Sequence, residues 1–295
     1  MNQSVGCRRV ELSDAVQDVM IPLTFLYPAR QAPQIERFGP YALNVALNAA
    51  PVGARLPLIV LSHGNGGTPW AYSDLAAHLA AAGFVVALPE HLGNSRTDNR
   101  LAGTAENLEN RPRHICLAID AAFADPVLSA HLEAGRVGLI GHSIGSYTAL
   151  AVAGGRPWAG GHESADGQPR PVQVASDPRV YALVLLAPAS FWFMPERSLA
   201  EVRVPILIRT GGKDDITPVW HADIVRRDVD QAVAIDHKVI EGAGHFSFMN
   251  QFPAAMISPD FPPSQDPEGF DRLALQPSLH ADITAFLQDI LRAIR

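Results

Sequence analysis

Apolar stretches of strand character alternate with helical ones from about residue 56 onward. That alternation predicts an α/β fold with a mostly parallel central sheet covered by helices on both faces. The predicted strands are Leu58–Leu61, Phe84–Leu88, Arg136–Ile140, Val180–Leu186, Ile206–Arg209 and Val233–Ile240. Several are unbroken apolar runs, as strands buried on both faces require. Between them lie helical segments at Tyr72–Ala82, Glu106–Ala124, Ile144–Ala153 and Pro218–Arg227, with a closing helix at Leu279–Ile294. In the first helix Leu75, Leu79 and Ala82 fall at helical spacing and Gly83 supplies a stop. The last starts after Pro277-Ser278 and carries Ile283, Phe286, Leu287, Ile290 and Leu291 on one stripe. Before residue 56, Arg8–Leu12 and Val19–Tyr27 read as antiparallel strands at the start of the sheet. Two stretches rich in Gly or Pro, about 154–178 and 252–267, read as surface insertions on a single domain spanning 1–295.

The chain has 295 residues, 47% hydrophobic and 18% charged, so it has the apolar material for a large core and is not disordered as a whole. Its 24 Pro and 23 Gly punctuate the apolar runs without a period, which excludes a collagen-like or low-complexity chain. A formal charge of -7 opposes the counterion-release attraction that drives nucleic-acid binding, so no nucleic-acid partner is expected. Cys7 and Cys116 form neither a disulfide framework nor a zinc signature, and read as free thiols, Cys116 buried on a helix. No metal and no cofactor are expected, because His63, His91, His142 and His245 follow no metal-ligand spacing. The opening residues lack the apolar region of a signal peptide, and no run is long enough to span a bilayer. The expectation is a soluble, cytoplasmic protein without stable membrane insertion; a homo-oligomer is compatible with the sequence.

Gly141-His142-Ser143-Ile144-Gly145 fits G-x-S-x-G and stands where the buried strand Val137–Ile140 meets a small-residue helix. A sharp strand-to-helix turn of this kind pushes the serine into a strained, accessible position at a helix N-terminus, where amide groups favour developing negative charge. The alternative is a serine that only caps the helix. A serine hydroxyl needs a base, and the base needs an orienting carboxylate. Asp214-Asp215 follow the strand 206–209 in a loop leading to Thr217-Pro218, and His245 follows the strand 233–240 in a glycine-flanked loop. For both aspartates the alternative is a plain turn into a helix capped by Thr217. The order Ser143, Asp214, His245 is the chain order of the α/β-hydrolase triad.

From about Leu56 to His245 the sequence resembles the α/β-hydrolase superfamily. The segments Phe38-Gly39-Pro40-Tyr41, Leu61-Ser62-His63-Gly64-Asn65-Gly66-Gly67 and Gly141–Tyr147 resemble dienelactone hydrolases and platelet-activating-factor acetylhydrolase-like serine esterases. The resemblance implies Ser143 as nucleophile, His245 as base and Asp214 as acid, preferred over Asp215 by family spacing. It also implies an oxyanion hole from the Asn65 and Ile144 amides. Two departures stand out: dienelactone hydrolases use a cysteine nucleophile where this chain has Ser143, and Ser146 replaces a glycine usual in acetylhydrolase-like relatives. Trp70, Phe191, Trp192, Met194 and Phe246 follow strand ends and read as an apolar substrate pocket, or as core packing. Glu90-His91 follow another strand end with no role assigned. The expected activity is hydrolysis of a small-molecule carboxylic ester through an acyl-enzyme. Amide hydrolysis by the same groups and a non-catalytic ligand-binding homologue are the alternatives.

Overall fold

The structure, a computed structural model, describes residues 4–292. Its elements in chain order are β1 (Ser4–Asp14), β2 (Val19–Ala29), β3 (Gln34–Phe38), β4 (Tyr41–Leu47), β5 (Leu56–Ser62), α1 (Ser73–Ala81), β6 (Val85–Pro89), α2 (Ala105–Ala124), β7 (Leu132–His142), α3 (Ile144–Val152), β8 (Trp158–Ala159), β9 (Arg170–Pro171), β10 (Val180–Leu186), β11 (Ile206–Gly211), α4 (Trp220–Asp228), β12 (Ile235–Ile240) and α5 (Arg272–Arg292). Ten strands form one sheet in the order β12-β11-β10-β7-β5-β6-β2-β1-β4-β3. From β12 to β6 every pairing is parallel, whereas β2 joins β6 and β1 joins β2 antiparallel. The C-terminal ends of β5, β7, β10, β11 and β12 therefore lie along one edge, and the chemistry-bearing loops leave from it.

The central strands show why an apolar run can be a strand. On β5, Leu56, Leu58 and Val60 pack into the layer holding α2, α3 and α4, while Ile59 and Leu61 pack into the layer holding α1 and α5. Strand β10 repeats the alternation, with Leu183 and Leu185 on the first side and Ala182, Val184 and Leu186 on the second. A period of two on a sheet covered twice makes every position apolar. Each fully buried Leu, Ile or Val contributes roughly 1.5–3 kcal/mol relative to exposure. Helix α5 buries Leu279, Ile283, Leu287 and Leu291 at every fourth residue. Leu287 and Leu291 reach over Gly138, where a Cβ would come within 2.8 Å of Ile59 and 3.0 Å of Leu287.

Three expectations change. The hairpin β3–β4 extends the sheet beyond the two antiparallel strands expected at its start, with β4 joining β1 in a short parallel pairing. Its strands turn over Gly39, whose φ of 60° suits a tight reversal. Helix α5 begins at Arg272 rather than after Pro277. A proline at the sixth helical position forfeits only the bond to the Leu273 carbonyl, and Leu273 is exposed, so water can satisfy it. The expected last helical residues 293 and 294 lie outside the described residues. Cys116 is half-buried rather than buried, and neither thiol is disulfide-bonded.

Helix α2 also contains a proline, Pro112, and its solution bears on the site. The missing N–H leaves the Leu108 carbonyl without its helical donor in a fully buried setting. The Tyr147 hydroxyl of α3 donates to that carbonyl at 2.9 Å. No described helix is long and apolar enough to cross a membrane. Tyr147→Phe is expected to lose about 1–3 kcal/mol of stability through the orphaned Leu108 carbonyl, measured as a lowered urea midpoint at unchanged m-value.

Candidate active site

Ser143 links β7 to α3 with φ 56° and ψ -124°, a positive-φ conformation that costs an L-residue energy. The surrounding backbone is packed so closely that side chains are excluded. A Cβ on Gly141 would meet the Gly145 carbonyl oxygen at 2.2 Å, and one on Gly145 would meet the Ser62 carbonyl oxygen at 2.0 Å. These two glycines allow the turn and press the start of α3 against the end of β5. Ser146 is buried and donates its hydroxyl to the Gly141 carbonyl at 2.8 Å, so the serine in place of a glycine stitches the turn closed. Ser143 donates its own N–H to the Leu186 carbonyl at 3.0 Å, anchoring the turn to the neighbouring strand β10.

Asp214 and His245 meet across the loops that follow β11 and β12. Asp214 Oδ2 lies 2.9 Å from His245 Nδ1, and both side chains are almost fully buried, whereas Asp215 is exposed. Asp214 Oδ1 accepts the N–H groups of Ile216 and Thr217 at 3.0 and 2.7 Å. Thr217 does not cap the next helix as the sequence alternative has it. Its Oγ1 lies 2.9 Å from Asp214 Oδ2, 3.0 Å from His245 Nδ1 and 3.0 Å from the carbonyl of Ala187, itself at a positive φ of 43°. Burial pushes the Asp214 carboxyl up, but hydrogen bonds and charge from His245, with further bonds from Thr217, outweigh it and hold the group below its ordinary value.

His142, the variable position of the pentapeptide, is fully buried and holds the back of this assembly. Its Nε2 donates to the His245 carbonyl at 2.9 Å, and its Nδ1 accepts from the Tyr72 hydroxyl at 2.8 Å. A carbonyl can only accept, which fixes the tautomer. Burial, with help from His245, pushes the His142 imidazole down to about 3, so it stays neutral. The loop His63–Gly67 follows β5 and faces the turn: a Cβ on Gly64 would lie 3.5 Å from Ser143 Cβ. The amides of Asn65 and Ile144 donate to no protein acceptor among the described residues.

The aromatic residues expected to form one pocket are spread over several sites. Trp192 is a core residue: it is buried, donates its indole N–H to Glu163 at 2.8 Å and packs edge-on against Tyr147. Phe191 packs beside it with its ring tilted by 32°, and Met194 is exposed. Trp70 stacks on Phe38 with ring centroids 4.1 Å apart and lines a groove with Arg9, Val10, Thr24 and Glu90. Phe246 alone adjoins the imidazole, edge-on to His245 at 5.1 Å. It lines a cavity of about 380 Å³ with His245, Ile216 and Pro259, Pro262 and Pro267 of the second insertion. A cavity of about 680 Å³ lies at the far end of α3 among Arg156, Trp158, Asp177 and Glu201, away from Ser143. His91 is buried beneath the His63 loop, and the neighbouring Glu90 accepts from Thr97. The contacts of Thr217, Tyr72 and Arg111, all tied to these loops, have no individual signature in the sequence.

A family model for platelet-activating factor acetylhydrolase, isoform II, matches residues 37–117, a span that holds the His63–Gly67 loop and ends before Ser143. No curated protein matches the chain. Among solved structures, a ferulic acid esterase from Streptomyces cinnamoneus superposes with a TM-score of 0.73 at 19% identity, covering 99% of this chain and 91% of that one. The chain has the α/β-hydrolase fold, and the family match over residues 37–117 supports the resemblance to acetylhydrolase-like esterases drawn from its motifs.

Because the folded Asp214 carboxyl sits below its ordinary 3.8, the unfolded chain takes up that proton first on acidification. The stability it contributes is complete above about pH 5 and is lost as pH falls through the folded value. Asp214→Asn is expected to remove this part of the acid limb, so the stability gap between wild type and variant narrows from pH 6 to pH 3 in urea-unfolding series.

Proposed function

We propose that the protein is a serine carboxylesterase in which Ser143, His245 and Asp214 form a catalytic triad. The observation that carries the reading is the buried 2.9 Å bond between Asp214 and His245 Nδ1, set at the same sheet edge as the strained turn that presents Ser143. With Nδ1–H committed to the carboxylate, His245 Nε2 is the free basic nitrogen. It takes the Ser143 proton as Oγ attacks the ester carbonyl carbon. The carbonyl oxygen becomes an oxyanion, received by the N–H groups of Asn65 and Ile144, the latter at the N-terminus of α3. The imidazolium formed is stabilised by Asp214 and gives its proton to the departing alcohol. Water, deprotonated by the same imidazole, then attacks the acyl-enzyme and releases the acid.

The side chains beside His245 favour an ester with an apolar acyl or alcohol part. Phe246, Ile216 and the proline-rich insertion offer apolar contacts at the imidazole, while Lys213, Asp215 and Asp266 keep the cavity's rim polar. Ferulate esters belong among the substrates to test, because the structural neighbour is a ferulic acid esterase. Supporting observations for a small-molecule substrate are the cavity's size, about 380 Å³, and the chain's net charge of -7, which disfavours a nucleic-acid partner.

Ser143→Ala is expected to lower turnover of short-chain p-nitrophenyl esters by at least about 10³-fold with an unchanged circular-dichroism spectrum. A fluorophosphonate probe is expected to label wild type at Ser143 and leave the variant unlabelled. Turnover by Ser143→Ala at the wild-type rate would falsify the assignment. Faster hydrolysis of matched p-nitroanilides than of p-nitrophenyl esters would move the activity to amides.

A further inference from the structure

The side chain of Arg111, on α2, is fully buried, yet no carboxylate lies within ion-pair distance of it among the described residues. A buried guanidinium is costly unless its donors are satisfied. Here every acceptor is neutral. Nε donates to Thr148 Oγ1 at 3.0 Å, Nη1 to Asn94 Oδ1 at 2.6 Å, and Nη2 to Ser62 Oγ at 3.2 Å and to the His63 carbonyl. The nearest acid along the network, Asp14, is taken by Arg113 in a two-pronged pair. Thr148 lies on α3, whereas Ser62 and His63 lead into the Gly64–Gly67 loop. One side chain thus spans the two elements that would supply the two oxyanion amides.

The network beyond the guanidinium has a fixed polarity. Arginine only donates, so Asn94 must present its oxygen to Arg111 and its NH₂ to the other side. That NH₂ reaches Asn65 Oδ1 at 2.6 Å and Asn99 Oδ1 at 2.7 Å. Ser62, accepting from Arg111, donates to His91 Nε2 at 2.8 Å, and His91 Nδ1 continues to His114 Nδ1 at 3.2 Å. His63 donates from Nδ1 to the Gly64 carbonyl and accepts the His91 N–H at Nε2. Burial, reinforced by the Arg111 charge, pushes His63 down to about 3 and lowers His91; burial also lowers His114, outweighing the upward pull of the nearby Asp14. The three imidazoles stay neutral around the cation.

We infer that Arg111 is a positioning residue for the oxyanion hole: it fixes the Asn65 amide through His63 and Asn94, ties that loop to α3 through Thr148, and sets an unneutralised positive charge behind both. The inference rests on the esterase reading of the same site. An arrangement that matters when charge develops on the carbonyl oxygen must act on kcat and on tetrahedral adducts more than on substrate binding.

The test compares Arg111→Met, Arg111→Lys and Asn94→Ala with wild type, using p-nitrophenyl ester kinetics and inhibition by phenylboronic acid, which forms a tetrahedral adduct with an active serine. Arg111→Met is expected to lower kcat by about 10²-fold, with KM within a few-fold of wild type. Asn94→Ala, which cuts the relay to Asn65 and leaves the cation in place, is expected to lower kcat by about tenfold. Boronate inhibition constants are expected to rise in proportion to the kcat/KM losses across the series. Arg111→Lys restores the charge without the fork and is expected to fall between Arg111→Met and wild type. Should Arg111→Met fail to fold, Arg111→Lys and Asn94→Ala decide alone. Wild-type kcat and boronate affinity in both, or losses confined to KM, overturn the inference while leaving Ser143-dependent hydrolysis intact. Wild-type turnover that does not depend on Ser143 removes the esterase reading and this inference with it.

Discussion

The site depends on one close approach, the carbonyl of Ser62 lodged where Gly145 has no Cβ. The end of β5 and the first turn of α3 touch through backbone alone, at a distance that any side chain would prevent. Because β5 and β7 are parallel neighbours, this contact sets the loop after one strand against the turn after the next. The strain at Ser143 is sustained by that packing, by the Ser146 bond to Gly141 and by the Ser143 N–H bond to β10. A looser join would let the serine relax into an ordinary helix cap.

Two kinds of buried polarity surround the join, and they are built differently. Asp214 and His245 lie together with Thr217, whose hydroxyl is shared among the carboxylate, the ring and the Ala187 carbonyl just past β10. Arg111 has no such counter-charge and is held by neutral oxygens drawn from β5, α3 and the segment after β6. In the first arrangement a carboxylate faces an imidazole, so opposite charge is in place at the ring. In the second a cation, its pKa lowered by burial to about 9, faces only neutral oxygens. His142 stands between them, neutral and hydrogen-bonded at both nitrogens.

Much of the sheet could be read from residues, because a doubly covered parallel strand is an unbroken apolar word such as Val180–Leu186 and needs no partner to be recognised. The β3–β4 hairpin was less legible: Gln34–Phe38 and Tyr41–Leu47 are short, partly exposed and next to prolines, and only their pairing makes them strands. Helix α5 misled because a proline reads as a boundary, although one sited near a helix start with an exposed acceptor is tolerated. At the site, Ser143, Asp214 and His245 are marked by turns and glycines that local chemistry requires. Thr217, Tyr72, Asn94 and Arg111 act through contacts between residues up to 70 positions apart, such as Tyr72 with His142, and no local pattern announces them. Trp192 shows the reverse: an aromatic beside a strand end looked like a substrate contact, but its indole is spent on Glu163 in the core.

Pro112 gives the molecule a dependency that neither helix would have alone. Its ring breaks a rung of α2, and the vacant acceptor is filled by a phenol from α3, the helix that begins at Ser143. The two helices are thereby fastened at a defect, so α2 cannot be perfected in isolation. An alanine at position 112 would bring back an amide that must share the Leu108 oxygen with the Tyr147 hydroxyl. Improving the helix by its own standards would unsettle the scaffold beneath the serine.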